Sequence, residues 1–221
     1  MTRKTHWSLI LTVMLLFTVP GCLVWSTAPL YFDGGPETSL DERLLGTWTV
    51  DRARDGQGDG LARLVGTWKI EQANQSQAHY RLTAVDDQQQ KATFLASIVE
   101  LGERRFLDLQ SVTDQERADA NPWLQFTRIP VHNVLRLKVN GKQEVEVAAP
   151  QLKEMKQLLR DRPELIDHTL VKMPTDDDPS TLPVLTGDTP TLRTFVRDHL
   201  SDDPYFRDFV ALKRAETSEG N

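Results

Sequence analysis

The side chains best suited to nucleophilic or metal chemistry are one thiol, Cys22, and five imidazoles, His6, His79, His132, His168 and His199. Metal ligation read from sequence needs such groups a helical turn or a short loop apart, as in His-Glu-x-x-His, and the histidines here show no such spacing. His199 lies beside an apolar helical stripe and reads as a boundary residue. There is no Gly-x-Ser-x-Gly elbow, no Gly-x-Gly-x-x-Gly turn and no phosphate-binding Gly-Lys-Ser/Thr. Asp176-Asp177-Asp178-Pro179 and Ser201-Asp202-Asp203-Pro204 read as solvated turns, since acidic residues before proline favour turns. Asp55-Gly56-Gln57-Gly58-Asp59-Gly60 has the texture of a calcium loop but lacks the closing glutamate, and reads as a flexible hairpin tip. The expectation is no metal, no cofactor and no enzymatic activity.

The residues ahead of Cys22 give its thiol a different meaning. Arg3 and Lys4 precede a run without formal charge over 5–32, densest over the thirteen residues 7–19. That is the charge-then-apolar order of a signal peptide. The core is too short to cross a hydrocarbon layer that needs about 20 residues, and it ends at Pro20-Gly21, which breaks a helix. Val19-Pro20-Gly21-Cys22 resembles the lipobox of bacterial lipoproteins, departing from it only in the proline at minus two. The resemblance implies that residues 1–21 are removed, that Cys22 is acylated on its thiol and amine, and that the membrane is a partner through that lipid. In such proteins an aspartate after the cysteine signals inner-membrane retention. Leu23 therefore favours the outer membrane, with the body facing the periplasm or the cell surface. An uncleaved anchor over 7–25 is the alternative, and it also leaves the body outside the cytoplasm and tethered.

Removing Arg3 and Lys4 leaves 24 basic against 32 acidic residues, a formal charge of −8. So acidic a body is a poor partner for nucleic acid. With its one cysteine taken by lipid, the chain holds no internal disulfide.

What remains must fold around these features. Residues 22–39, with Pro29, Gly34, Gly35 and Pro36, read as a lipid-anchored tether. From residue 44 the apolar spacing becomes two, the period of a half-buried strand, over 45–50, 67–72, 80–85, 92–101 and 104–109. The fourth of these is apolar on both faces and should lie under another layer. Short joins between them imply antiparallel neighbours. Further strands are expected at 134–139, 145–148, 168–173, 182–185 and 209–214. Asn140-Gly141 is the strongest hairpin signal. A register joining Leu137 to Val145 and Leu135 to Val147 keeps carboxylates off the apolar face, where a plain two-residue turn would not. Two helices interrupt the series, at 151–162 with Leu152, Met155, Leu158 and Leu159 on one stripe, and at 191–200 with Leu192, Phe195, Val196 and Leu200. Thr189-Pro190 supplies the second helix's cap and first-turn proline. The expected architecture is a mainly β antiparallel meander, a barrel or half-barrel over 40–215 with two covering helices, and a disordered tail at 216–221.

Arg43-Leu-Leu-Gly-Thr-Trp-Thr-Val50 recurs as Arg63-Leu-Val-Gly-Thr-Trp-Lys-Ile70, with no third copy to suggest a solenoid. Leu45-Gly46-Thr47-Trp48, at the start of the meander, resembles the Gly-x-Trp motif that opens the first barrel strand of lipocalins. The layout over 44–214 also resembles uncharacterised bacterial lipoproteins with a lipocalin-like domain, although a lipocalin has one main helix and this chain has two. The resemblance implies that an arginine from the last strand stacks on the motif tryptophan to close the barrel base. Arg214 is the candidate, within about 6 Å of Trp48. Lys213 lacks the planar group for that role.

Three function classes follow. The first is a tethered module binding a small apolar or amphipathic ligand in the barrel, lined by Trp68, Tyr80, Leu82 and Phe94, residues that could equally fill a closed core. The second is an envelope structural or interaction module without a ligand. The third is an enzyme whose site follows no familiar motif.

Overall fold

A computed structural model describes residues 25–32, 35, 38–50, 66–73, 78–112, 131–141, 143–172, 181–201 and 204–215. The expected signal peptide, Cys22, the loop at 55–60, Asp176 to Asp178 and the tail at 216–221 lie outside them.

The described chain is mainly β. Its strands are β1 (Trp25–Ser26), β2 (Gly46–Val50), β3 (Gly66–Gln72), β4 (His79–Asp86), β5 (Lys91–Leu101), β6 (Arg104–Val112), β7 (His132–Asn140), β8 (Glu144–Ala148), β9 (His168–Lys172), β10 (Thr181–Leu185) and β11 (Val210–Arg214). Strands β2 to β8 pair in sequence order, and β11 lies between β8 and β2, which closes an antiparallel barrel of eight strands. Closure removes the free edges that an open meander would leave. The period-two pattern is the cause: Trp48 and Val50, Trp68 and Ile70, Tyr80 and Leu82, and Val145 and Val147 turn inward into one core.

A second layer covers one flank. Helix α1 (Leu152–Asp161) buries Met155 and Leu159. Helix α2 (Thr189–Phe195) continues as one π-helical stretch, Val196–Leu200, and buries all four residues of the expected stripe. Its cap is Asp188, one residue earlier than expected; the carboxylate accepts from Thr191 N at 3.0 Å, which places Pro190 inside the first turn. These helices pack on the outward side chains Val99, Leu101, Phe106 and Val134. The second half of β5 is therefore buried on both faces, as its sequence suggested.

Two expectations are corrected. Residues 25–31 are not free tether. Trp25 and Ser26 pair with β7 and with β10, and Leu30 and Tyr31 are buried in the outer layer. A two-residue strand has no readable period, and the prolines and glycines around it resemble a linker. The β7–β8 hairpin pairs Leu137 with Val147 and Val139 with Val145, two residues from the expected register. A slip of two keeps every side chain on its own face, so burial alone does not oppose it. The reversal falls between Asn140 and Glu144, with Gly141 at φ +79°.

Candidate functional site

Three of the four residues expected to line a ligand site, Trp68, Tyr80 and Leu82, meet inside the barrel with Leu44, Ile70, Ala96, Leu107, Leu137 and Leu212. Phe94 faces the same core and is only partly buried. What they enclose is a wholly apolar void of about 10 Å³, room for at most one water. Ligand pockets usually begin near 300 Å³. The indole and phenol rings occupy the space a ligand would need. In this conformation the interior is a core.

The base is closed by the chain entering β2. A single 3₁₀ turn, Glu42–Leu44, puts Leu44 under the barrel, and Trp48 Nε1 donates to Leu44 O at 2.8 Å. Trp48 is fully buried. The guanidinium carbon of Arg214 stands 4.5 Å from its ring centroid, while Nη1 and Nη2 donate to Leu45 O and Arg43 O at 2.9 and 2.8 Å. Strand β11 brings them together, pairing Arg214 with Trp48 directly. Gly46 is the third member: a Cβ there would come within 2.5 Å of Arg214 Nη1, and its φ of +129° disfavours any side chain. The two Gly-Thr-Trp copies pair antiparallel with Trp48 opposite Trp68, and among the described residues only the first has an arginine over its indole.

Asp41 locks the same end. Its carboxylate binds Arg43 at 2.7 Å and Arg105 at 2.9 Å, and its backbone N–H donates to Tyr80 Oη. The hydrogen bond from Arg43, with help from Arg105, holds the Asp41 carboxyl down at about 2. Burial pushes the Tyr80 phenol up to about 12, so it stays protonated.

A polar cluster absent from the sequence reading lies outside the barrel beneath the N-terminal segment. Strand register sets His79 beside Ser97 and Ser97 beside Asp108, and all three are buried. His79 Nδ1 is 2.6 Å from Ser97 Oγ, and His132 Nδ1 is 2.8 Å from Asp108 Oδ1. Asp108 Oδ2 also accepts from Leu30 N at 2.6 Å, and the Tyr31 ring packs on both imidazoles. The residue types are those of hydroxyl nucleophile chemistry, but no imidazole bridges hydroxyl to carboxylate. Each histidine serves one partner, and Ser97 is about 1% exposed. The arrangement fastens the N-terminal segment. These groups are separated in the chain by tens of residues, so only a known register could have revealed them.

Among the described residues, no three or more His, Cys, Asp or Glu side chains are grouped to hold a metal. No described helix is long and apolar enough to cross a membrane. His199, half-buried with its ring 5.9 Å from that of Phe195, borders an open groove with Leu165 and the exposed Pro190, Thr191 and Thr194. Nothing in it converges on a ligand.

The class that fold and site define is a closed antiparallel β-barrel with a filled interior and an outer α/β layer. No protein-family model, curated protein or solved structure matches the chain.

Proposed function

We propose that this protein is an exported lipoprotein, held to the outer membrane through Cys22, whose barrel is a rigid scaffold for a structural or interaction role in the cell envelope. The interior void of about 10 Å³ carries the choice of scaffold over carrier. An apolar ligand would have to displace Trp68, Tyr80 or Leu82, whose burial stabilises the fold by about 1.5–3 kcal/mol each. The export half rests on Arg3 and Lys4, the short apolar run, and the lone cysteine after Val19-Pro20-Gly21. An enzymatic role is not favoured, because the buried serine, histidines and aspartate are divided into separate pairs.

Native mass spectrometry of the protein recovered from its host tests the reading. The expected mass is that of residues 22–221 with acyl chains on Cys22 and nothing else. A small molecule retained in stoichiometric amount would return the barrel to the carrier class. A full-length mass without acyl groups would remove the lipoprotein half.

A further inference from the structure

We infer that the pocket beneath Leu30 and Tyr31 is a peptide-binding site, which the chain fills with its own residues 29–31 and can open to a segment of another polypeptide. The inference goes beyond the scaffold reading and does not depend on Cys22. Residues 29–31 belong to no strand, and side chains grip their backbone. Asp108 Oδ2 accepts from Leu30 N at 2.6 Å, Arg193 Nη1 donates to Leu30 O at 2.9 Å, and Thr189 Oγ1 donates to Pro29 O at 2.9 Å. These are main-chain groups, so the grip does not depend on which side chains the segment carries. Selectivity comes from two neighbours: Leu30 is fully buried in the apolar cluster of the outer layer, and the Tyr31 ring lies 5.1 Å from that of His79 and 6.2 Å from that of His132. Ser97 orients one imidazole and Asp108 the other, without help from the segment. Main-chain bonds for affinity and side-chain pockets for specificity are how proteins take peptides.

The chemistry of this seam sets it apart. Among the described residues the buried polar or charged ones are Ser26, His79, Ser97, Asp108, His132 and Asn133. Four of them form the floor of the pocket, and the other two belong to the pairing of β1 with β7, Ser26 opposite His132 and Asn133 opposite Trp25. The seam between helices and barrel is built instead from Met155, Leu159, Leu192 and Phe195 with Val99 and Phe106, all apolar. A seam that never opens gains nothing from buried polar pairs, which are costly to desolvate and which apolar side chains of like volume replace without loss. Interfaces that open are more polar, since both faces must also tolerate water. The polar grip marks residues 29–31 as a removable occupant, while β1, paired on both sides, need not move. The partner is a peptide segment with an aliphatic residue followed by an aromatic one. Proline cannot take the aliphatic position, because Asp108 requires its N–H.

The probe is a synthetic peptide of residues 28–32, Ala-Pro-Leu-Tyr-Phe, with a dye attached beyond the phenylalanine, since Phe32 is 43% exposed. It is titrated into full-length protein recovered from its host and followed by fluorescence anisotropy. In the parent the chain's own segment competes, so binding should be weak. Leu30→Ala combined with Tyr31→Ala loosens that competitor and leaves the pocket intact, and the apparent affinity should rise roughly tenfold or more as the open state becomes populated. N-methylation of the peptide's leucine removes the N–H that Asp108 accepts and should weaken binding roughly tenfold, the worth of one hydrogen bond to a carboxylate. Circular dichroism checks the fold of the double variant. A second measurement needs no variant: hydrogen exchange at the Leu30 amide of the parent should speed up as unlabelled peptide is added, because the peptide captures the open state. A folded double variant that takes up no peptide at about 1 mM overturns the inference. So does an unchanged exchange rate at Leu30, equal binding of the N-methylated peptide, or self-association of the variant in place of peptide capture.

Discussion

Replacing Arg214 with alanine tests whether the barrel base is held by a stacked arginine. The side chain contributes a guanidinium over Trp48 at 4.5 Å and two hydrogen bonds to the carbonyls of Leu45 and Arg43. The stacking is worth about 0.5–2 kcal/mol depending on desolvation. A hydrogen bond from a charged donor can reach about 1.5–3 kcal/mol, but these lie at a partly wet surface, so about 0.5–1 kcal/mol each is realistic. The expected loss is about 2–3 kcal/mol, which for a domain of this size lowers Tm by roughly 5–10 °C. Arg214→Lys keeps one hydrogen bond and no planar stack, and should recover less than half of it. Urea titration followed by tryptophan emission reads both. A cycle with Trp48→Phe isolates the pair, with a coupling of at least about 0.5 kcal/mol. Arg214→Ala within about 0.5 kcal/mol of the parent, or strict additivity in the cycle, would refute the reasoning.

Gly46→Ala should cost at least as much as Arg214→Ala in the same titration, because the new Cβ would press on Nη1 from a strained φ, and when Arg214 is already alanine it should lose the part due to the clash and keep the part due to the φ. Asp108→Ala leaves His132 and the Leu30 N–H without their acceptor, costing about 1–3 kcal/mol, and hydrogen exchange should speed at Leu30 before it does in β3 or β4. The Asp41 carboxyl is depressed from 3.8 to about 2, so its contribution is full above pH 4 and fades as pH falls through 2. Asp41→Asn should abolish that part of the acid loss, about 1 kcal/mol once screening around the half-exposed Arg43 is allowed for. Cys22→Ser should abolish acyl labelling and release or misprocess the protein in membrane fractionation, and unchanged labelling would sink the lipoprotein reading.

Much of the barrel can be read along the chain. Each of the ten expected strands appears within a few residues of its expected place, and the five with a period-two pattern are the most legible, since alternation is a property of neighbouring residues. Trp48 and Arg214 are named as partners by what the resemblance of Leu45-Gly46-Thr47-Trp48 to the lipocalin motif implies, and not by any spacing in the chain. The outer layer was less legible. Met155 and Leu192 announce apolar helix faces, but nothing local says which flank they cover. Strand β1 consists of two residues, and its order comes from β7 and β10 more than a hundred positions later.

The sequence by itself determined the alternation of faces, the helices, the acidic charge and the context of Cys22, because each depends on residues close together in the chain. Tertiary structure alone decided three things. It chose a register for β7 and β8 two residues from the expected one, a shift invisible to a pattern whose period is two. It gathered His79, Ser97, Asp108 and His132 under Tyr31 through cross-strand pairings that no local spacing records. It also decided how much space Trp68, Tyr80 and Leu82 leave among themselves. That question is one of volume: the same inward residues can line a pocket or fill it, and only the mutual positions of the eight strands leave about 10 Å³ between them.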